Sequence, residues 1–187
     1  MGAYKQRVLE LFARLDKEGS GGINPSDLMY VEELSGSRPT PLALGTRGLV
    51  LGFVRHSDAN KDGRVSREEL LHYVDKAMVG TTPETLPEYV REFVSTVFAV
   101  MDPDRSDRVT RAAFEEYLKA QHADVSFDTG GRELEHLDRD HDGFLTLGDL
   151  QAAAYAFFTA PSERVPMRWL LAAVPDRTAP GATSSTH

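Results

Sequence analysis

The chain has 187 residues, of which 41% are hydrophobic and 27% are charged, the balance of a folded globular protein rather than a disordered one. It contains no cysteine, which excludes a disulfide framework and a thiolate zinc site. The formal net charge of −8 argues against nucleic acid as a partner, because a nucleic-acid surface needs a positive field. An acidic chain of this kind favours a cation as its ligand.

No apolar run reaches the length that crosses a bilayer, so we expect no membrane partner. The N-terminus lacks the basic and then apolar layout of a secretory signal. Met1 and Gly2 match the start of a myristoylation motif, but Gln6 stands where that motif needs Ser or Thr. We therefore expect a cytoplasmic protein.

A repeated unit runs along the chain. Four twelve-residue segments each begin with Asp and are flanked by residues with helical periodicity. In each segment the eighth residue is branched and apolar, the thirteenth is apolar, and an apolar residue stands four positions before the Asp. The first residues are Asp16, Asp58, Asp102 and Asp138, the eighth are Ile23, Val65, Val109 and Leu145, the thirteenth are Leu28, Leu70, Phe114 and Leu150, and the preceding ones are Phe12, Val54, Phe98 and Leu134.

Helix-start signals follow the segments, so each unit is predicted to be a helix, a loop and a second helix. Asn24 precedes Pro25, a favoured first helical residue after a capping Asn. Ser66 and Glu69 form the pattern of a capping box. Clusters of turn residues at 36–41, 80–83 and 124–130 separate the units.

The four segments, DKEGSGGINPSD, DANKDGRVSREE, DPDRSDRVTRAA and DRDHDGFLTLGD, resemble the EF-hand loop. That loop supplies calcium ligands from positions 1, 3, 5, 7, 9 and 12 and has Gly at position 6, where the backbone takes a positive φ. Position 7 contributes only its carbonyl, and position 12 contributes a bidentate carboxylate from the next helix. The alternative for any one segment is a polar surface loop.

The first loop is irregular. Its candidate ligands are Asp16, Glu18, Ser20, the carbonyl of Gly22, and Asp27. Glu18 is longer than the usual residue at position 3, and Asp27 replaces Glu at position 12. Both metal binding and a retained but weak or empty loop are open for this segment.

The second loop meets every requirement of the pattern. Its candidate ligands are Asp58, Asn60, Asp62, the carbonyl of Arg64, Ser66 and Glu69. We predict that this loop binds calcium.

The third loop is predicted to be empty. Asp102, Asp104 and Ser106 match the pattern, but Ala113 stands at position 12 and removes the bidentate carboxylate. Asp107 replaces the turn glycine, and a non-glycine residue in a left-handed conformation costs about 1–2 kcal/mol. The apolar positions of this unit persist, which indicates a structural role.

The fourth loop is predicted to bind metal through Asp138, Asp140, Asp142, the carbonyl of Phe144, and Asp149. Asp149 is one methylene shorter than Glu, so its carboxylate can reach an ion with one oxygen only. This favours six-coordinate Mg²⁺ relatively more, here and at the loop closed by Asp27.

Over residues 3 to 174 the chain resembles the sarcoplasmic calcium-binding proteins and bacterial calerythrin, through the wide loop spacings, Asp27, the stretch Tyr155–Phe158 and the apolar segment 165–174. In calerythrin-like proteins the second hand is the defective one, whereas here it is the third. The resemblance implies an all-α fold of four EF hands in two compact pairs, with a short two-stranded ribbon between the position-8 residues of paired loops. The implied division is 1–79 and 83–160 for the two pairs, 161–174 for an apolar extension on the core, and 175–187 for a disordered tail.

The resemblance implies a calcium-binding protein. We expect a monomeric intracellular calcium buffer, because the chain has only 5 Met with which to line the adaptable groove of a sensor. The alternatives are a sensor that exposes an apolar surface to an unidentified protein partner and, with less support, a carrier of an apolar ligand. No base stands beside a nucleophile in a recognisable pattern, so we expect no enzyme activity. Gly45, Gly48 and Gly52 do not form a nucleotide-binding motif and instead indicate close helix packing.

Overall fold

The computed structural model describes residues 2–16, 18–27, 40–121, 127–162, 165–166 and 168–174. For residues 127–131 and 168 it describes the backbone only. Within this part of the chain there are eight α-helices, one 3₁₀ helix and one two-stranded sheet. The α-helices are α1 (Ala3–Leu15), α2 (Pro41–Ser57), α3 (Arg67–Ala77), α4 (Glu88–Met101), α5 (Arg111–Ala120), α6 (Phe127–Leu137), α7 (Leu147–Thr159) and α8 (Arg168–Ala172). The 3₁₀ helix is Pro83–Thr85, and the strands are β1 (Val109–Thr110) and β2 (Phe144–Leu145).

The predicted all-α fold class with short ribbons between paired loops is confirmed for this part of the chain. Three helix–loop–helix units are complete in it, and the first unit is described through its entering helix and loop. The helix that leaves the first loop, including Leu28, and the predicted tail at 175–187 lie outside the described residues. None of the described helices combines the length and the apolar character that crossing a membrane requires.

Helices enter and leave the loops through local hydrogen bonds. The first Asp of each loop donates its amide to the carbonyl four residues earlier, at 2.9 Å for Asp16 and 2.8 Å for Asp138, which completes the entering helix. The exiting helices of the second, third and fourth loops start at capping hydroxyls. Ser66 and Glu69 form the predicted capping box, and Thr110 caps α5 through the amide of Ala113.

The position-8 residues pair in antiparallel fashion across the loops. Ile23 and Val65 exchange two backbone hydrogen bonds, of 3.0 and 2.8 Å, and form an isolated bridge. Val109 pairs with Leu145 in the sheet of β1 and β2. All four side chains are fully buried. Each loop is therefore fixed to its partner by backbone hydrogen bonds and by an apolar contact beneath them.

The two halves meet through α2 and α4, and glycines set the distance between these helices. A Cβ on Gly52 would lie 2.2 Å from Cγ of Tyr89, and one on Gly45 would lie 3.1 Å from Cγ2 of Thr96. The predicted close packing is confirmed at these two glycines and is wrong for Gly48, which has open space where its Cβ would stand.

Residues 169–174 pack into the core. Trp169 and Val174 are fully buried, and the residues between them are at most 8% exposed. The backbone of this segment is held at several points, because Tyr117 donates its hydroxyl to the Trp169 carbonyl at 2.8 Å and Thr46 donates to the Ala173 carbonyl at 3.2 Å. These contacts join the end of the described chain to α5 and α2.

Arg7 joins the first helix to the last long helix. Its Nε donates to the Phe157 carbonyl at 2.9 Å, and its two terminal nitrogens donate to the carbonyls of Ala156, Ala160 and Ser162 at 2.6–3.0 Å. These acceptors lie in the last turn of α7 and just beyond it, where the helix dipole favours a cation. Burial lowers the pKa of Arg7, which is 4% exposed, yet a guanidinium stays charged in proteins.

We predict that Arg7→Gln lowers the free energy of unfolding by about 2–3 kcal/mol, because it removes four charge-assisted hydrogen bonds made by a buried guanidinium. Arg14→Gln is the matched control on the same helix, since Arg14 is half-buried and its bonds to the carbonyls of Leu171 and Val174 are longer, at 3.2 and 3.4 Å. Its loss should stay below about 1 kcal/mol. Urea unfolding measures both values, and equal losses would contradict the role given to Arg7.

Candidate metal sites

One hydrogen bond is common to all four loops. The carboxylate at position 1 accepts the amide of position 6 at 2.9 Å in every case. The glycines at position 6 take a positive φ, of +82° for Gly21 and Gly63 and +86° for Gly143, as the pattern predicts. The backbone therefore turns the same way in each of these loops.

The fourth loop has the densest group of carboxylates. Oxygen atoms of Asp138, Asp140 and Asp142 all lie within 4.8 Å of one another, the only such group of three in the described part of the chain. Asp138 Oδ2 accepts the Gly143 amide, whereas Asp138 Oδ1 is buried and has no hydrogen-bond partner. A buried carboxylate oxygen without a donor is unfavourable, so this atom fits a cation ligand.

The hydrogen bonds that Asp138 accepts favour the ionised form of its carboxyl group. Burial raises its pKa, but the hydrogen bonds it accepts, foremost from the Gly143 amide, outweigh burial and bring the pKa below its usual value. Negative charge is thus concentrated at the loop, and a hard divalent cation is the ligand that matches oxygen donors of this charge.

Asp149, at position 12 of the fourth loop, lies at the start of α7. Its Oδ2 accepts the Thr146 amide at 2.9 Å and the Thr146 hydroxyl at 2.6 Å, which completes a capping box. Phe144, at position 7, donates its amide to Asp142 at 2.9 Å. Asp149 therefore accepts hydrogen bonds from the exit side of the loop.

The second loop is closed by a longer side chain. Glu69 Oε2 accepts the amide and hydroxyl of Ser66 at 2.9 and 2.8 Å, while Oε1 reaches the entering side and accepts the amides of Ala59 and Asn60 at 3.1 and 3.3 Å. The Ser66 amide is the main reason that the Glu69 pKa is lowered. The extra methylene thus lets Glu69 span the loop.

The remaining second-loop side chains hold one another in place. Asp58 accepts the amides of Asp62 and Gly63, at 3.2 and 2.9 Å. Asn60 donates its side-chain amide to Asp62 Oδ2 at 2.9 Å, and Asp62 Oδ1 accepts the amide of Arg64 at 2.9 Å. These side chains are exposed to solvent or half-buried, which leaves their oxygens accessible to an ion.

The first loop keeps the local geometry despite its irregular sequence. Asp16 accepts the amides of Ser20 and Gly21 at 2.8 and 2.9 Å. Asp27 is 1% exposed and accepts the amides of Glu18 and Asn24 at 3.2 and 2.8 Å, so this Asp spans its loop although it is short. The Ser20 hydroxyl lies 3.0 Å from the Gly22 carbonyl and 3.3 Å from Asp16 Oδ1. The Glu18 residue is exposed.

The third loop has the same turn without a glycine. Asp107 takes the left-handed conformation, with φ at 61°, and its amide reaches Asp102 like the glycines of the other loops. The missing glycine therefore does not abolish the turn. At position 12 Ala113 supplies no oxygen, and its amide donates to Thr110. What the third loop lacks is the closing carboxylate.

Two arginine side chains at position 7 were not anticipated from the sequence. Arg64 of the second loop donates to the carbonyl and the hydroxyl of Ser20 in the first loop, at 2.9 and 3.0 Å. Arg108 of the third loop lies over the ring of Phe144 in the fourth, 5.3 Å from its centroid. Aligning the four loops position by position would have revealed this recurrence, although not the atoms that the arginines contact.

Comparison with known proteins identifies the EF hand in the second unit. Residues 58–74 match the EF hand family. The calcium-binding protein SPEC 1A of Strongylocentrotus purpuratus is 33% identical over 70 residues, which are 37% of this chain and 42% of that protein. The match therefore spans less than half of this curated relative.

Solved structures of similar shape cover most of the chain. A sarcoplasmic calcium-binding protein from amphioxus is 18% identical with a TM-score of 0.66 and covers 90% of this chain and 96% of its own. A calcium-binding protein from Streptomyces coelicolor, studied for prokaryotic calcium-mediated regulation, is 26% identical with a TM-score of 0.59 over 85% and 99%. Calcium-loaded apo-aequorin from Aequorea victoria is 15% identical with a TM-score of 0.63 over 83% and 90%.

The predicted resemblance to EF-hand proteins and to the sarcoplasmic calcium-binding proteins is confirmed by these matches. The likenesses at 15% and 18% identity concern the fold alone. The family match and the curated relative support calcium binding, and the closer resemblance to calerythrin stays a prediction.

We predict that Ala113→Glu gives the third loop the ability to bind calcium, because the turn and the Asp102 carboxylate are already in place. Calorimetry should then show one binding event more than in the parent protein. Ala113→Gln is the control, since it has the same length without the charge. An unchanged stoichiometry at millimolar calcium would show that the third loop lacks more than its closing carboxylate.

Proposed function

We propose that the chain binds calcium through its second and fourth loops and, more weakly, through its first. The unpartnered, buried Asp138 Oδ1 beside Asp140 and Asp142 is the observation that supports this proposal most directly. A divalent cation would satisfy that oxygen and neutralise the charge of the group.

The proposed ligands are the oxygens that the pattern places at positions 1, 3, 5, 7 and 12. In the second loop these belong to Asp58, Asn60, Asp62, Arg64 and Glu69, in the fourth to Asp138, Asp140, Asp142, Phe144 and Asp149, and in the first to Asp16, Glu18, Ser20, Gly22 and Asp27. Arg64, Phe144 and Gly22 would contribute backbone carbonyls. The role of the protein is to hold these oxygens in tight turns before the ion arrives.

We further propose that Mg²⁺ competes best at the loops closed by Asp. Glu69 spans the second loop, whereas Asp149 accepts hydrogen bonds from Thr146 on one side of the fourth loop. A closing carboxylate that provides one oxygen lowers the coordination number, which suits six-coordinate Mg²⁺ better than Ca²⁺. For the first loop the proposal rests on the short side chain of Asp27 alone, because Asp27 accepts hydrogen bonds from both sides of its loop.

A calcium buffer is the activity that we propose. The segment 169–174 fills apolar space between helices, and Trp169 is fully buried, so the groove that a sensor would open is occupied by the chain itself. Three bound divalent ions would also bring the formal charge from −8 to about −2, which relieves self-repulsion and stabilises the loaded state.

A calcium sensor is the second candidate. It is favoured by the 26% identity to the Streptomyces coelicolor protein, which is described in terms of calcium-mediated regulation. In that case calcium would release an apolar surface to an unidentified protein partner. A carrier of an apolar ligand has only the fold likeness to aequorin in its favour.

The remaining attributes that we propose follow from charge and composition. The net charge of −8 disfavours nucleic acid as a partner, and we propose a cytoplasmic monomer that does not bind membranes. The similar proteins named above are named as calcium-binding or calcium-loaded proteins. We therefore propose that this chain binds calcium and has no enzyme activity.

We predict that Glu69→Gln weakens one calcium-binding event at least about tenfold, because it removes one charge from a divalent site. Asp104→Ala is the control in the loop predicted to be empty and should change calcium affinity almost not at all. Titration calorimetry with Ca²⁺ and Mg²⁺ measures both effects. The reverse pattern would overturn the assignment of the loops.

The buffer and sensor proposals differ in exposed apolar surface. We predict that the fluorescence of anilinonaphthalene sulfonate changes less than about twofold when calcium is added, since hands of a buffer barely open. Trp169→Ala is the comparison, because it vacates part of the apolar space and should raise the fluorescence with and without calcium. A large rise on adding calcium to the parent protein would favour the sensor.

A further inference from the structure

The Arg64 side chain crosses from the second loop to the first. Its Nη2 donates to the Ser20 carbonyl at 2.9 Å and lies 3.0 Å from the Ser20 hydroxyl oxygen. Ser20 occupies position 5 of the first loop, where the pattern places a metal ligand. A permanent positive charge therefore lies against an atom that the proposed function assigns to a cation.

The position of each of these arginine side chains depends on the residue at position 7 of the loop with which its own loop is paired. In the first loop this residue is Gly22, and a Cβ there would stand 3.2 Å from Nε of Arg64, so the absence of a side chain leaves room for the guanidinium. In the other pair the residue is Phe144, and Arg108 lies over its ring. The two arginines occupy equivalent positions, but they contact different parts of their neighbours. Arg64 contacts the Ser20 hydroxyl, an oxygen proposed as a ligand, whereas Arg108 contacts the ring of Phe144, whose proposed ligand is its backbone carbonyl.

A metal ion and Arg64 compete for the same oxygen. A serine hydroxyl has one proton and two lone pairs. The Ser20 hydroxyl lies within hydrogen-bond distance of the Gly22 carbonyl and of Asp16 Oδ1, either of which can accept its proton, while Arg64 takes a lone pair. An ion that binds Ser20 must use a lone pair and must also approach a cation of like charge.

We propose that Arg64 is an internal counter-ion of the first loop, which stabilises the loop when no metal is bound and makes it the weakest of the three calcium sites. This inference rests on the proposed function and concerns the side chain of Arg64, not its carbonyl. It assigns the low affinity of the first loop to a residue of the second loop rather than only to Glu18 and Asp27.

The test is an amide-resolved calcium titration of the full chain by ¹H–¹⁵N spectroscopy. The amides of Gly21, Gly63 and Gly143 each donate to the first Asp of their own loop, so each reports the filling of one loop. In Arg64→Gln we expect the calcium concentration at the midpoint of the Gly21 shift to fall about tenfold. A change of this size is what removing one charge a few ångströms from a divalent ion produces in a solvated loop.

Two variants separate charge from other effects. Arg108→Gln removes the same charge from the equivalent position and should leave the Gly21 midpoint within about twofold, because the Arg108 side chain lies over the ring of Phe144 in the other pair of loops. Arg64→Lys keeps the charge and should keep the Gly21 midpoint near that of the parent. If Arg64→Lys shifts the Gly21 midpoint as much as Arg64→Gln does, the positive charge is not the cause and the counter-ion role is wrong.

Thermal unfolding provides a second readout, in which the substitution should lower stability without calcium and increase the stabilisation that calcium provides. Relative to the parent, Arg64→Gln should melt at a lower temperature in chelator and gain more stability from saturating calcium. If Gly63 and Gly143 respond to calcium while Gly21 shows the same midpoint in the parent and in Arg64→Gln, the inference is overturned and the proposed function stands. If Gly21 responds in neither protein, the inference is overturned and the proposed function holds for the second and fourth loops only. If none of the three glycines responds, the proposed function fails and this inference fails with it.

Discussion

The hydrogen bond from the amide at position 6 to the carboxylate at position 1 is the constraint on which every loop depends. It measures 2.9 Å in all four loops and reverses the chain within six residues. Because the bond requires only a backbone amide and a left-handed turn, Asp107 makes it as the glycines do. A loop can therefore keep its shape after losing its closing carboxylate, and the third loop continues to pair with the fourth through Val109 and Leu145.

Pairing places residues of one loop within reach of the ligands of the other. The bridge between Ile23 and Val65 brings the second loop against the first, and the position-7 side chains then determine what the neighbouring loop contacts. Affinity in such a pair is a property of both loops, since a charge on one lies beside oxygens of the other. Counting ligands loop by loop omits this effect.

The contacts that join the ends of the chain bear on function. Arg7 caps the C-terminus of α7, and the segment around Trp169 is bonded to α5 and α2. These contacts fill the space between the helices with the protein's own residues. A closed core of this kind suits a protein that binds and releases an ion without presenting a groove, which is the reason we favour a buffer over a sensor.

The sequence by itself determined the four loops, their candidate ligands, the capping box of Ser66 and Glu69 and the turn glycines, because each involves residues within twelve positions of one another and depends on local hydrogen bonds. Only the tertiary structure decided the partners of Arg7, which lie about 150 residues away, the contact of Arg64 with Ser20, and the buried, unpartnered oxygen of Asp138. Such contacts depend on how helices meet in space, and neither spacing nor periodicity records which long side chain will reach which distant carbonyl.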